Sequence, residues 1–156
     1  MKPSEFISGI APAAQDSMQK TRIPASFVIA EGALESGWGS SQLTEKGLNL
    51  FGVKADPSWH GPTIEMRTRE YLHGEWLMVP ARWRKYSTWL ECIDDHAWFL
   101  LNNPRYEKAF AHANDAVAFT RTIAAAGYAT DPSYAGKIIS IIHGHNLIQF
   151  DKVTKS

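Results

Sequence analysis

Glu35 is the residue of this sequence best placed for acid–base chemistry. It stands in the last turn of a predicted apolar helix, and the turn Ser36-Gly37-Trp38-Gly39 that follows would bring an indole close to its carboxyl group. Apolar surroundings disfavour the charged form of a carboxyl group and raise its pKa. A carboxylic acid that stays protonated near neutral pH can protonate a leaving oxygen. The alternative is an exposed carboxylate at a helix end, tolerated in water.

A second carboxyl group of interest lies on a predicted β-hairpin. Two β-rich runs, residues 63–72 and 75–79, flank His73-Gly74, and a two-residue loop with glycine in that setting is typical of a hairpin. Glu65 and Glu70 both belong to the first run, but side chains five positions apart in a strand point to opposite faces. Only one of the two can therefore face a cleft.

Apart from the hairpin and one irregular segment, the chain is predicted to be mainly helical. Gly9 and Pro12 are expected to split the first twenty residues into a short and a longer helix, and residues 36–59 to be irregular. Further helices are predicted at about 25–35, after the Thr88 cap, from 114–115 to Gly127, and from 132 to about 146, with a frayed tail at 151–156. Helices, one hairpin and more helices indicate an α+β fold with a small β lobe. The aromatic residues Trp98, Phe99 and Phe119 are expected in the core.

Composition limits the classes of protein to consider. The chain has 156 residues, 44% of them hydrophobic, which is enough for one compact domain over 1–156 but too few residues for two ordinary domains. Sixteen basic and sixteen acidic residues balance, so no overall field favours nucleic acid or an anionic membrane. No apolar run reaches the length of a membrane span, and no Sec-type leader is recognised, so we expect synthesis in the cytoplasm and no membrane insertion.

Cysteine and histidine usage predicts neither a metal nor another cofactor. Cys92 is the single cysteine, which excludes an intramolecular disulfide, and within an apolar helix it is expected to be a small buried hydrophobe. The six histidines show no helical zinc-binding pair. The cluster at 82–86 mixes cations and aromatics; it could stack on nucleic acid, contact acidic peptides or sugar faces, or, as we prefer in a neutral protein, form a solvated hairpin face.

Five motifs in order carry a family resemblance. They are Ala33–Gly39 (ALESGWG), Asn49–Lys54 (NLFGVK), Thr68–Tyr71 (TREY), Arg84–Ser87 (RKYS) and Ala126–Pro132 (AGYATDP). Together they resemble the β-N-acetylglucosaminidases of glycoside hydrolase family 73, which include flagellar peptidoglycan hydrolases, autolysins and phage lysins. The resemblance covers about residues 20–145 and implies a lysozyme-like fold in which a helical lobe and a small hairpin lobe flank a cleft.

The resemblance also implies roles for individual residues. Glu35 matches the general acid, Glu70 the second carboxylate that activates water, and Tyr128 a tyrosine beside the acid. Substrate-binding positions are implied for Trp38, Asn49, Phe51 and Tyr71. Whether the reaction inverts, retains, or uses the N-acetyl group of the substrate as nucleophile is left open, because it depends on the separation of the carboxyl groups.

Glu31 is a departure from the family, where glutamine is common. It lies four residues before Glu35 and therefore on the same helical face. If both groups are poorly solvated, their like charges raise the pKa of one of them. We then expect Glu31→Gln to retain activity and to shift the acidic limb of the pH profile. The alternative is that Glu31 is simply solvated.

The resulting prediction is a monomeric endo-β-N-acetylglucosaminidase that cleaves peptidoglycan. The alternatives are a muramidase or lytic transglycosylase on a similar scaffold, and a catalytically silent wall-binding domain. The chain is predicted to act on the wall in the periplasm, as an injected antibacterial effector with a periplasmic immunity protein that plugs the cleft, or as a phage endolysin released through a holin.

Overall fold

Six α-helices and one β-hairpin form the fold of residues 1–152, which this computed structural model describes. The helices are α1 (Pro3–Thr21), α2 (Ala25–Ser36), α3 (Gln42–Gly47), α4 (Trp89–Leu101), α5 (Ala116–Ala125) and α6 (Tyr134–Gly144); the strands are β1 (Thr63–Leu72) and β2 (Glu75–Arg84). Short 3-10 segments cover Pro104–His112 and Leu147–Asp151. The predicted α+β order, with helices on both sides of one hairpin, is confirmed.

Helix α2 runs through the hydrophobic core. Residues 25–33 are all buried, and α1, α5, α6 and the segment Leu147–Asp151 pack around them. Pro24 provides no side-chain cap at the start of this helix. The carboxylate of Asp151 supplies one instead, accepting from the Ser26 amide at 2.7 Å and from Ser26 Oγ at 2.6 Å. The frayed tail was therefore placed too early; residues 153–156 lie outside the described part of the chain.

Helix α1 is continuous, so the predicted break at Gly9 and Pro12 was wrong. Pro12 lies inside the helix and removes one backbone donor. Tertiary packing compensates for that loss, since one side of the helix, including Phe6 and Ile10, is fully buried against α2 and α4. Gly9 serves this packing, because a Cβ there would lie 3.2 Å from the indole of Trp89.

The segment predicted to be irregular contains the short helix α3. Ser41 caps it by accepting from the Thr44 amide at 3.1 Å, and Leu48 ends it in the left-handed region. The hairpin follows at residue 63, as predicted, with positive φ at both His73 and Gly74. β2 continues to Arg84, beyond the predicted end, and accommodates Pro80 because a two-stranded sheet leaves each strand with a free edge.

Helix α4 begins as predicted at Thr88, whose hydroxyl accepts from the Glu91 amide at 3.1 Å. Phe119 is fully buried, but Trp98 and Phe99 are 59% and 51% exposed, so their assignment to the core was wrong. They lie on the side of α4 that faces away from α1, beside the hairpin lobe. Among residues 1–152, no helix combines the length and the apolarity that crossing a membrane requires.

Candidate active site

Helix α2 places two carboxyl groups at the edge of the core. Glu31 is in its buried part and Glu35 is one turn further on, just before the helix ends at Gly37. Gly37 has φ 58°, in the left-handed region that glycine adopts without strain, and its amide donates to the Ala33 carbonyl as a helix cap. The two carboxyl groups therefore share a rigid element.

Glu31 is the centre of a buried hydrogen-bonded cluster. Its side chain is 1% exposed, and its two carboxylate oxygens accept from the hydroxyls of Tyr128 and Tyr134. Burial raises the pKa of Glu31 to about 7, and the two tyrosine hydrogen bonds offset part of that rise. The alternative that Glu31 is simply solvated was wrong, because helices α2, α4 and α6 and the loop after α5 enclose it.

His96 on α4 completes this cluster. Its Nε2 lies 2.7 Å from the Tyr128 hydroxyl oxygen and 3.4 Å from Glu31 Oε1. Burial lowers the pKa of His96 to about 4, so the ring is neutral at pH 7 and the contact with Glu31 is not an ion pair. The other face of the ring system is covered by Phe51, whose ring stacks on His96 with centroids 4.4 Å apart.

Glu35 differs from Glu31 in being exposed to solvent. No other residue of the described chain donates a hydrogen bond to it or pairs with its charge. Partial burial of its carboxyl group still raises the pKa of Glu35, and the charge of Glu31 raises it further. This is the direction of coupling expected from the sequence. Its carboxyl group is thus available to a ligand while holding its proton to higher pH than an ordinary glutamate.

A cleft of about 460 Å³ lies between the helical lobe and the hairpin base. Phe51, His96 and Tyr128 contribute to its wall from the helical side. Burial raises the pKa of Tyr128 well above its ordinary value, with the charge of Glu31 as the next cause, so the hydroxyl remains protonated. The remaining lining residues are Val53, Lys54, Asp56, Arg84, Asp95 and Phe99. Aromatic faces beside carboxylates suit the apolar faces and hydroxyl groups of a sugar.

Asn49 organises the loop that carries Phe51. Its side chain is fully buried, and its amide donates to the carbonyls of Val53 at 3.0 Å and Arg84 at 2.9 Å while accepting from the Val53 amide at 3.1 Å. These bonds join the loop to the end of β2. The expectation that Asn49 touches the substrate is corrected, because its polar atoms are committed to the backbone.

The hairpin separates Glu70 from Glu65, as strand alternation predicts. Glu70 is on the half-buried face of β1 together with Met66 and Thr68, and Glu65 is on the exposed face. Glu70 Oε1 lies 3.3 Å from the ammonium of Lys54, a residue of the cleft wall. Glu70, and not Glu65, therefore lies on the half-buried face of β1 and contacts a residue of the cleft wall.

Tyr71 and Trp38 have surroundings that differ from those expected. Tyr71 follows Glu70 and so lies on the opposite face of β1, where it is 60% exposed and contacts the ring of Trp76. Tyr71 therefore does not share a face with Glu70, and its predicted substrate contact stays a prediction. Trp38 is half-buried between Phe6 and His145, with ring centroids 5.9 and 4.8 Å away. It packs α1 against the end of α6, and its predicted substrate contact stays a prediction.

The cationic and aromatic cluster at 82–86 anchors the hairpin to α4. Arg84 Nη1 donates to Asp95 Oδ2 at 2.8 Å, and the Tyr86 hydroxyl donates to the same oxygen at 2.6 Å. Arg84 also stacks over the indole of Trp59 and approaches Asp56 at 3.3 Å. The preferred interpretation as a merely solvated face was therefore wrong for Arg84 and Tyr86, since both are engaged in packing the lobes together.

Cysteine and metal chemistry have little structural basis here. Cys92 is fully buried, as predicted, and burial raises the pKa of its thiol to about 12. Within residues 1–152, no three side chains of His, Cys, Asp or Glu are grouped so as to hold a metal ion.

Sequence reasoning did not identify His96, Tyr134 or Asp95 as part of the site. His96 and Asp95 follow Cys92 in an apolar helix, and Tyr134 follows the motif that contains Tyr128. His96 and Tyr134 are 65 and 103 positions away from Glu31 in the sequence, and helix packing brings them into contact with it. Helix packing likewise brings Asp95 to Arg84. No local sequence pattern encodes such contacts. A polar side chain on the buried side of an apolar helix was the available signal.

A helical lobe and a hairpin lobe with a cleft between them, and a core helix that ends in the accessible carboxyl group of Glu35, are the features of a lysozyme-like glycoside hydrolase domain. The sequence profile of the glucosaminidase family, described as mannosyl-glycoprotein endo-β-N-acetylglucosaminidase, matches residues 11–147. The chain therefore belongs to this family, glycoside hydrolase family 73, and the resemblance seen in the sequence is confirmed.

Related proteins agree with this assignment. The chain is 41% identical over 155 residues to the peptidoglycan hydrolase FlgJ of Escherichia coli K12, covering 97% of this chain and 49% of that protein. It thus spans about half the length of this relative. It is 38% identical over 156 residues to the exo-glucosaminidase LytG of Bacillus subtilis, covering 97% of this chain and 54% of LytG.

Solved structures share the fold. The catalytic domain of the autolysin Auto from Listeria monocytogenes superposes with a TM-score of 0.86 at 34% identity, covering 96% of this chain and 87% of that chain. A type VI secretion effector–immunity complex from Pseudomonas protegens also matches, with a TM-score of 0.63 over 94% of each chain. At 17% identity, that likeness concerns the fold alone.

Proposed function

We propose that this chain hydrolyses the β-1,4 bond on the reducing side of N-acetylglucosamine within peptidoglycan strands. The observation that carries the proposal is Glu35, an accessible carboxyl group with a raised pKa at the end of a core helix, one turn after Glu31, whose hydrogen-bond partner Tyr128 lines the cleft. The relatives of this chain include proteins named peptidoglycan hydrolase and exo-glucosaminidase, and these names support this substrate class and this bond.

The catalytic roles follow from where the groups lie. Glu35 donates its proton to the glycosidic oxygen, because a raised pKa keeps it protonated at the pH at which the leaving group needs a proton. Glu70, on the half-buried face of β1 and in contact with Lys54 of the cleft wall, serves as the second carboxylate and activates water. Tyr128 and Phe51 position the sugar against the acid from the wall of the cleft.

The first test is a product analysis on sacculi from a Gram-negative bacterium. Wild-type protein, Glu35→Gln and the control Glu45→Gln, which alters an exposed carboxylate on α3, digest the same material, and the reduced products are identified by mass spectrometry. We expect reduced N-acetylglucosamine ends from wild type and control, and a loss of rate of about 10²- to 10⁴-fold in Glu35→Gln.

Other products would select the alternatives. Ends in N-acetylmuramic acid would indicate a muramidase, and anhydro ends a lytic transglycosylase. Absence of products with retained binding to sacculi would indicate a silent wall-binding domain. Internal oligosaccharides early in digestion would support endo cleavage, whereas single disaccharides from the first minutes would indicate an exo enzyme.

We further propose that the chain acts on bacterial walls as an effector or a lysin, as expected from the sequence. An effector aimed at the wall type of its producer requires a periplasmic immunity protein that blocks the cleft. Directing the chain to the periplasm of a Gram-negative host should then cause lysis that Glu35→Gln abolishes. Protection by a small secreted protein encoded beside it would support the effector setting, and a neighbouring holin gene would support the lysin.

A further inference from the structure

The buried cluster around Glu31 has a hydrogen-bond direction that follows from its chemistry. An ionised carboxylate only accepts hydrogen bonds, so Tyr128 and Tyr134 must both donate their hydroxyl protons to it. The Tyr128 oxygen then accepts from His96 Nε2 at 2.7 Å, because its own proton is committed. The chain of donors runs from His96 through Tyr128 to Glu31.

This direction affects the cleft because Tyr128 is part of its wall. Because the hydroxyl hydrogen of Tyr128 points to Glu31, a ligand that reaches this hydroxyl from the cleft meets only an oxygen lone pair. A glutamine at position 31 would act differently, since its amide has one accepting oxygen and one donating NH₂ group. One of the two tyrosines would then accept from the amide, and the proton of that tyrosine would be free.

We propose that Glu31 is a positioning residue that sets the direction of the Tyr128 hydroxyl, so that the protonation state of Glu31 decides whether Tyr128 accepts from or donates to the bound sugar. This rests on the proposed function for the identity of the ligand, but the hydroxyl direction itself does not. When Glu31 is ionised, the Tyr128 hydroxyl donates its hydrogen bond to Glu31. When Glu31 is protonated, Glu31 can donate to the Tyr128 oxygen, and the Tyr128 hydroxyl can then donate toward the cleft.

The groups that could also titrate or act electrostatically here come from every element packed around Glu31. They are Glu35 on α2, Asp95 and His96 on α4, Tyr106 in the segment Pro104–His112, Tyr128 after α5, and Tyr134 on α6. Burial lowers the pKa of His96 to about 4 and raises the pKa of both tyrosines above its ordinary value. Burial raises the pKa of Glu31 to about 7, so this carboxyl group changes charge near neutral pH.

The direct test observes the tyrosines. Protein labelled with ¹³C at tyrosine Cζ is titrated by NMR from pH 5 to 9 as wild type and as Glu31→Gln. We expect the signals of Tyr128 and Tyr134 to share an inflection near neutral pH in wild type and to lose it in the variant. An inflection that persists in Glu31→Gln, or flat signals in wild type, would overturn the proposal. This readout requires no enzymatic activity.

A double-mutant cycle tests the functional consequence. Glu31→Gln should change the rate of formation of new reducing ends at saturating substrate by about two- to tenfold, the size of one redirected hydrogen bond. The change should shrink below about twofold in a Tyr128→Phe background. The matched control is Tyr134→Phe, which removes the other hydroxyl from Glu31 but none from the cleft wall, and the effect should persist there.

The two tests separate this proposal from the function on which it builds. Additive effects of Glu31→Gln and Tyr128→Phe in an active enzyme would refute the positioning role alone. If wild type releases no sugar ends, the proposed function fails, and the NMR titration still decides the hydroxyl direction. If Tyr128→Phe is too slow to measure, the titration again decides.

Discussion

The two carboxyl-bearing regions of this molecule are built in opposite ways. Around Glu31 on α2, side chains from α4, α6 and the loop after α5 exclude water, and burial controls the ionisation of the glutamate. The hairpin that carries Glu70 is a two-stranded ribbon with exposed apolar side chains at its far end, including Trp76 and Met78. At its base Arg84 bonds to Asp95 and Asn49 bonds to the backbone, and nearer the turn Glu70 pairs with the ammonium of Lys54.

The difference suits two different chemical tasks. The proposed proton donor, Glu35, lies one turn after Glu31 on the same core helix, and burial and the charge of Glu31 both raise its pKa, which favours that role. A group that activates water must remain reachable by water, and an exposed ribbon permits that. Five predictions, in order of decreasing effect, test this division between a water-excluding helical lobe and an accessible hairpin.

Asn49→Ala should destabilise the junction of the two regions most. It leaves the carbonyls of Val53 and Arg84 and the Val53 amide without their buried partner. We expect a loss of about 3 kcal/mol in the free energy of unfolding, measured by urea denaturation. Asn114→Ala, at an exposed position, is the control and should change it by less than about 0.5 kcal/mol. A loss below about 1 kcal/mol for Asn49→Ala would mean that water replaces the amide readily.

Glu31→Gln should stabilise the protein above neutral pH. A carboxyl group whose pKa is raised to about 7 on folding destabilises the folded state once it ionises, so stability falls as pH rises from about 4.5 through 7. The cost is about 3 kcal/mol when complete. We expect Glu31→Gln to raise Tm by roughly 6–12 °C at pH 8, with no difference at pH 4. A gain of equal size at both pH values would contradict this reasoning, and Glu45→Gln should show none.

For the pH dependence of activity, the structure changes the direction of the effect that the sequence led us to expect for Glu31→Gln. Removing the charge of Glu31 lowers the pKa of Glu35, because that charge contributes to raising it. A general acid works only while protonated, so activity would end at lower pH. The limb that should move is therefore the alkaline one, and not the acidic one expected from the sequence.

Glu70→Gln should slow hydrolysis about ten- to hundredfold through loss of the group that activates water. Glu65→Gln, on the opposite face of the same strand, is the matched control and should stay within about twofold of wild type. Tm should hardly change in either, since an exposed ion pair such as that of Glu70 with Lys54 contributes little to stability. Equal losses in both variants would remove Glu70 from the mechanism.

The far end of the hairpin should show the smallest effects. Leu77 is paired with Glu70 across the strands and shares its face, whereas Tyr71 lies on the other face. We expect Leu77→Ala to raise KM for soluble glycan chains about two- to threefold, because about 1 kcal/mol or less of apolar contact is lost at a partly exposed position. If the substrate binds on the face of Glu70, Tyr71→Ala should leave KM unchanged; an increase in KM would instead support the predicted substrate contact of Tyr71.

Local patterns predicted much of this protein. Period-two alternation placed Glu65 and Glu70 on opposite faces, the His73-Gly74 pair marked the turn, and Thr88 marked the start of α4. Each of these depends on backbone preferences within a few residues. Where local preference conflicted with packing, the prediction failed: Pro12 lies within a helix because buried residues hold that helix against its neighbours.

The sequence by itself determined the family, the α+β order and the position of Glu35 at the end of an apolar helix, because each is written in residues close together along the chain. Only the tertiary structure decided that Glu31 is enclosed by Tyr128, Tyr134 and His96, and that Asn49 turns inward. The physical reason is that water exclusion and hydrogen-bond pairing depend on which distant elements meet. A pKa is therefore a property of the packed molecule and not of the residue alone.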